Sequence, residues 1–326
     1  MLRGTLLAGG LFVAAAALWA LPAGVATSVR QDLDFGRADS ALQRLGTILS
    51  QNPSDAEAHN LRCRVYYQEE QWDAAIADCE AAVQQAPGDS NFHLWLGRAY
   101  GQTAAHASLM AGYPLARKVR AEFQQAVQLN PRNAEALADL GEFDVAAPAV
   151  VGGGLAHAEA VAQQLRGVNP AGALTLEGRI AESRRDYGTA EASFRDAIRT
   201  SQYPANGWMD LAAFYRRRGR LDEMATAART GASLDAHHGS ALVDGASNLT
   251  LTGREPQTAI QWLQQYLNSN AQSELTPSFV VRAQLARLLR QQGENEAAQE
   301  QLAAVHALAS GYRIPSSPLA GARAGR

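Results

Sequence analysis

A pattern of about 34 residues recurs along the chain, and it narrows the choice of fold before any single residue does. Residues 56–89, AEAHNLRCRVYYQEEQWDAAIADCEAAVQQAPGD, show it in full. Leu61, Val65 and Tyr66 fall on one face of a first helix. Trp72, Ala75, Ile76, Cys79 and Ala82 form the apolar stripe of a second. Pro87 closes that helix, because proline lacks the amide a helix interior needs. Asn52-Pro53, Ala86-Pro87, Asn130-Pro131 and Asn169-Pro170 mark four successive repeat ends. One such helical pair cannot bury its stripes alone, whereas stacked pairs share a continuous core. The spacing predicts an all-α fold, an α-solenoid of about eight helical hairpins over residues 27–310. Such an array winds into a right-handed superhelix with a concave inner wall.

The next copy, NFHLWLGRAYGQ, supplies Trp95, Leu96, Gly97 and Tyr100. W-L-G-x-x-Y, then an alanine-rich second helix, then proline, resembles the tetratricopeptide repeat. Later copies read GWMDLAAFYRRRGRLDEMATAARTGASLD and RAQLARLLRQQGENEAAQEQLAAV. Small residues recur at the eighth repeat position (Gly97, Gly141, Gly178, Ala212, Ala246, Ala286) and the twentieth (Ala41, Ala75, Ala158, Ala190, Ala298), where paired helices must approach closely.

The resemblance implies that ligands sit on the concave surface lined by the first helix of each unit. The ninth repeat position there gives Arg64, Arg98, Arg179 and Arg287, and Asn60, Asn91 and Arg216 fall at other wall positions, with Asn206, Arg217 and Arg290 beside them. Guanidinium forks suit carboxylates, so one reading of this ladder is a groove for an acidic or C-terminal peptide. The other reading is a solvated face whose arginines pair with neighbouring acids, and Glu142 at the same ladder position favours it. The lysine and asparagine set of chaperone-binding carboxylate clamps is not reproduced, so that activity is not carried over.

Two units depart from the pattern. Residues 90–133 carry about ten extra residues around 103–118, which lengthen the two helices or form an excursion at their tip. Residues 134–170 have an enlarged internal turn, with Pro148 and then Gly152-Gly153-Gly154. A glycine triplet can cradle an anion, but here no strand precedes it and no Lys-Ser or Lys-Thr follows. A Pro-x-x-x-Gly-Gly turn after an enlarged unit is similar to periplasmic subunits associated with some TRAP transporters.

The chain opens with Arg3, an apolar run over residues 4–20, Pro22, and small residues at Gly24 and Ala26. This is the layout of a signal peptide cut after Ala26; the rival is a membrane anchor over residues 4–26. Either places the body in the periplasm or beyond, touching a membrane only through that segment. Residues 311–326 lack an apolar period and are expected to be unstructured. Cys63 and Cys79 are equidistant from the turn at Gln71, so an antiparallel helix pair sets them at one height. An oxidising compartment favours a disulfide between them; two buried free thiols are the alternative, and the absence of CxxC argues against redox catalysis.

Chemistry is hard to find. His59 and His93 share a repeat position that normally packs, which suits core-edge histidines better than metal ligands. His237 and His238 are adjacent, and neither HExxH nor GxSxG occurs. A formal net charge of −3 argues against a nucleic-acid partner. The expectation is a non-catalytic interaction scaffold of the cell envelope, with no cofactor and no metal, that binds a protein or peptide on its concave face. The alternative is a solute- or ligand-binding accessory protein of an envelope transporter. An open, basic, shallow groove favours the first, and a deep cavity with converging polar groups the second.

Overall fold

The computed structural model describes residues 23–315. They form sixteen α-helices and one short 3-10 turn, Ala149–Val151. The helices fall into eight antiparallel pairs. In chain order these are α1 (Ala23–Asp34) with α2 (Ala38–Gln51), α3 (Ala56–Gln68) with α4 (Trp72–Gln85), and α5 (Ser90–His106) with α6 (Leu109–Leu129). Next come α7 (Ala134–Ala146) with α8 (Leu155–Arg166), α9 (Pro170–Ser183) with α10 (Tyr187–Thr200), and α11 (Pro204–Arg217) with α12 (Leu221–Leu234). The last are α13 (Ser240–Leu251) with α14 (Pro256–Leu267) and α15 (Ser278–Gln291) with α16 (Asn295–Leu308). The expected leader lies outside the described residues except for Ala23–Ala26, which form the first turn of α1. Among the described residues no helix is long and apolar enough to cross a membrane.

The repeat grammar has direct physical counterparts. Each of the four proline pairs follows the end of a second helix, and the residue that caps the next helix stands at or just before or after it. Asp55 accepts from the Ala58 amide at 2.9 Å, Asp89 from Asn91 and Phe92, Asn133 from Ala136, and Asn169 from Gly172. The small positions are where helices touch. A Cβ on Gly97 would stand 2.6 Å from the Phe123 ring, and one on Gly141 2.3 Å from Leu176. Ala41, Ala75, Ala158, Ala190 and Ala298 are all fully buried.

The turn inside six hairpins holds a residue in the left-handed region, Gly36, Glu70, Arg185, Gly219, Gly253 or Gly293, and the α13–α14 turn holds a second, Glu255. The two enlarged units lack this turn. In the first, the extra residues lengthen both helices, to 17 residues in α5 and 21 in α6. In the second, the glycines thread a wider connection, and a Cβ on Gly153 would lie 2.0 Å from the Ala147 carbonyl oxygen. The triplet's amides are used internally, donating to the carbonyls of Ala149, Pro148 and Asp144, so they make no anion cradle.

Cys63 and Cys79 are joined by a disulfide with Cα atoms 5.3 Å apart, within the core of the second to fifth units. His59 and His93 occupy equivalent places. The His59 ring bridges Asp78 at 2.7 Å and the Pro53 carbonyl at 2.9 Å; the His93 ring bridges Glu122 at 2.6 Å and the Pro87 carbonyl at 3.0 Å. The bond to Glu122 holds the His93 imidazole above its ordinary value. Each ring thus ties a repeat end to the second helix of a unit. Among the described residues no cluster of His, Cys, Asp and Glu is arranged to hold a metal.

The solenoid does not stay open. Its first and last units share one core, in which Val29, Leu33, Leu45, Leu61 and Val65 pack with Phe279, Val305 and Tyr312. Polar contacts cross the same seam. Ser278 Oγ donates to the Phe35 carbonyl at 2.6 Å, and Gln68 Nε2 donates to the carbonyls of Leu33 at 3.0 Å and Glu274 at 2.8 Å. The Ser310 amide and hydroxyl both donate to Asp39. Gly36 belongs to the seam as well as to its turn, since a Cβ there would lie 2.7 Å from the Ser278 amide. The tail departs from expectation at its start: Tyr312 is buried, its ring centroid 4.9 Å from that of Phe279. Residues 316–326 lie outside the described part.

Glu69 lies at this seam, buried beside Gln71 and Gly311. Burial pushes its carboxyl up to about 7 from 4.5, with Asp39 adding to the rise and the Gly311 amide opposing it. The folded chain therefore holds this proton more tightly than the unfolded chain. The stability it lends is complete below about 4.5 and is lost as pH rises through about 7. The melting temperature of the wild type is expected to fall more steeply between pH 5 and pH 8 than that of Glu69→Gln. Parallel slopes in the two proteins would contradict the assignment.

Candidate binding chamber

Closure turns the concave wall into a chamber. Its volume is about 470 Å³, and it is lined by the first helices α3, α7, α9, α11, α13 and α15. A second lining element is the connection between α14 and α15, which crosses the inner face with Glu274–Pro277 on the chamber side. Tyr266 fixes this connection: its hydroxyl donates to the Thr276 carbonyl at 2.6 Å and accepts from the Ser273 amide at 3.1 Å. The apolar part of the wall comes from residues such as Leu176, Met209, Val243, Val280 and Val281.

Six of the seven wall residues singled out from the sequence divide between two places, and the seventh, Arg98, lines neither. Asn60, Arg64 and Asn91 come together at a smaller cavity of about 250 Å³, at the starts of α3 and α5. Trp95 lines it too, and two guanidiniums stand over its ring, Arg64 at 5.1 Å and Arg98 at 4.8 Å from the centroid. Arg179, Arg216 and Arg287 line the larger chamber instead. Glu274 separates the two spaces by pairing with Arg64.

The ladder is not a bare row of cations. Arg98 pairs with Asp139 at 2.6 Å and Glu135 at 2.9 Å, and Arg179 pairs with Glu142 and Glu182, each at 3.2 Å. Asn60 is 2% exposed, so it belongs to the packing of α3 more than to a presented surface. Asn91 accepts from Asn133 at 3.2 Å. Arg287 donates to the Pro315 carbonyl at 2.8 Å. Arg216 differs: its Nε donates to Asn248 at 2.8 Å, and burial, with Arg217 alongside, holds its guanidinium below the ordinary value.

The sequence reading named Glu142 among the acids of the wall and missed that Glu70, Asp139, Asp210, Asp244 and Glu274 line it too. They face four lining arginines, Arg179, Arg216, Arg217 and Arg287. A signal was present, since Asp210 and Asp244 are one full repeat apart. The wall is thus mixed in charge and leans acidic, with apolar stretches between the polar groups. Such a lining can hold the backbone and side chains of a slender ligand by many weak contacts. It offers no nucleophile and base held together.

Residues 29–90 match the tetratricopeptide repeat family. No curated protein matches the chain. Among solved structures, the chain is similar to TTC0263, a thermophilic tetratricopeptide-repeat protein of Thermus thermophilus. The identity is 20%, coverage is 59% of this chain and 97% of that one, and the TM-score is 0.50. It is also similar to a tetratricopeptide repeat protein of Parabacteroides merdae, at 12% identity over 86% and 97% of the two chains, with a TM-score of 0.50. Yeast Tom70 matches at 14% identity over 88% of this chain and 57% of that one, with a TM-score of 0.52. At these identities the likeness is one of fold.

Proposed function

We propose that this tetratricopeptide-repeat chain is a non-catalytic interaction protein that holds a polypeptide segment inside the ring formed by its first helices. The observation that carries the reading is the closure of the first unit on the last, which replaces an open groove with a chamber. A lined space of this size suits an extended strand of a partner better than a broad folded surface. The lining gives an acidic segment no advantage, because carboxylates outnumber guanidiniums along it. A location outside the cytoplasm goes with this reading. It is supported by the N-terminal apolar run and by a disulfide between the chain's two cysteines.

The test is to select peptides against the folded chain by display and to measure their binding to wild type and to Ala213→Trp. Ala213 lines the chamber on α11, and an indole there fills it. Binding is expected to weaken at least tenfold with the melting temperature kept within a few degrees. Unchanged affinity would remove the chamber as the binding site. Cell fractionation with N-terminal sequencing of the mature chain tests the location.

A second reading, a solute-binding accessory protein, draws on the same cavity, whose volume and largely apolar wall suit a small ligand. Native mass spectrometry of the purified chain separates the two, since a retained small molecule appears as a discrete mass increment.

A further inference from the structure

The tip of the third hairpin stands clear of the ring. α5 and α6 have 17 and 21 residues, where the neighbouring α4 and α7 have 14 and 13. Their caps at the repeat ends keep their places, at Asp89 and Asn130. The added length therefore extends past the adjacent hairpin turns, by roughly 5–10 Å at 1.5 Å per residue. The short 3-10 turn of the fourth unit lies beside it, with the Arg117 guanidinium donating to the Val150 carbonyl at 3.3 Å.

Met110, Tyr113 and Arg117 are spaced i, i+3 and i+7, and so share one stripe of α6. That stripe faces water: Met110 is 81% exposed, and Val150 across from Arg117 is 58% exposed. The two enlarged units thus hold three of the six large apolar side chains left exposed among the described residues, gathered at one tip instead of scattered. The charge there has one sign. Residues 90–121 contain no aspartate or glutamate, the longest such run between Asp32 and Glu300, and residues 145–158 contain none either. Arg117 and Lys118 are exposed, and Lys118 stands 4.6 Å over the Tyr100 ring. The acids that packed helices bring near are engaged below the tip: Asp144 by Arg120 at 2.9 Å, Glu122 by His93 at 2.6 Å and Glu80 by the Tyr100 hydroxyl.

A protruding apolar tip with cations behind it and no acid of its own matches the boundary of an anionic bilayer. Methionine and valine can enter the acyl region, tyrosine suits the headgroup level, and arginine and lysine reach lipid phosphates. A second copy of the chain matches it less well, because two-fold pairing of this tip sets Arg117 and Lys118 against the same cations.

We propose that the tip formed by the α5–α6 connection and the Ala149–Val151 turn docks on an anionic membrane surface, with Met110, Tyr113 and Val150 as its apolar contacts and Arg117 against lipid phosphate. The ring then rests on the bilayer by the edge that carries its hairpin turns, through a contact separate from the chamber.

The test places a bromine-quenched dye on Met110→Cys in the full chain; the two native cysteines are bonded to each other and stay unlabelled. The same dye on Tyr203→Cys is the reference, since the α10–α11 connection lies at the opposite end of the helices. Vesicles of equal parts phosphatidylglycerol and acyl-brominated phosphatidylcholine are added. Quenching at 110 is expected to exceed that at 203 at least fivefold. Arg117→Glu and Tyr113→Ser, each at an unchanged melting temperature, are each expected to reduce it at least twofold. The dye reads one place on the fold, so the result holds however the N-terminal apolar run meets the vesicle. No quenching at 110, equal quenching at both positions, or quenching indifferent to both substitutions would overturn the proposal. A spectral shift at 110 that grows with protein concentration in the absence of lipid would overturn it too, by showing that a second copy covers the tip.

Discussion

Phe279→Ala is expected to destabilise the chain by about 3–5 kcal/mol and to open the ring. Phe279 is fully buried at the start of α15, in the core where the first and last units meet. Its ring packs on Tyr312, and a Cβ on Gly36 would reach its edge at 3.3 Å, so little space is available for collapse around a truncated side chain. The loss has a particular distribution. Neighbouring hairpins elsewhere keep their own interfaces, because each unit of such an array contacts chiefly its neighbours. Hydrogen exchange is therefore expected to quicken in α1, α2 and α15 first, with the fifth to seventh units little changed. Chemical denaturation gives the size of the effect, and solution scattering gives the opening. A loss below about 1 kcal/mol with unchanged scattering would mean that the seam is not closed by this ring.

The second large effect is expected from the disulfide. Cys63→Ala with Cys79→Ala removes a cross-link between positions 16 residues apart, and about 3 kcal/mol of stability goes with it. The stabilisation lies mainly in the unfolded chain, whose loop between α3 and α4 can then spread freely. Both sites are fully buried in the core of the second to fifth units, and alanine leaves no buried hydroxyl behind. Urea unfolding of the double variant, and of wild type under a thiol reductant, should shift alike. A wild type indifferent to reductant would show that the bond contributes nothing in solution.

The local grammar was legible and the global shape was not. Proline pairs, small positions and helical stripes report contacts between adjacent helices, and adjacent helices are what a repeat of one hairpin specifies. Cys63 and Cys79 could be paired for the same reason, since both lie on one hairpin at equal distance from its turn. Ring closure belongs to another scale. Phe35 and Ser278 are 243 positions apart, and their meeting depends on small rotations accumulated over every unit between them, including two enlarged ones. No periodicity carries that sum.

The wall shows the same divide. Spacing placed Arg98 and Arg179 on the inner face and put Glu142 at the same ladder position, but did not show that Asp139, on α7 one unit away, would meet Arg98. The ladder looked basic because one repeat position was read down the array; Glu142 at that same position pointed to pairing, while Asp139 occupies another position and gave no such signal. Tyr312 was missed for a simpler reason: a single aromatic after the last helix makes no pattern, and only the partner ring of Phe279 gives it a place.

The central claim is that the array closes, and spin labels test it most directly. One label replaces Gln43 on α2 and the other Ala303 on α16; the two helices are in contact across the seam, and both positions are outside the seam core. Electron–electron resonance distance measurement on this pair in the otherwise intact chain is expected to give one narrow, short distance. A broad population at the long separations of an open eight-unit arc would contradict closure, and the chamber with it.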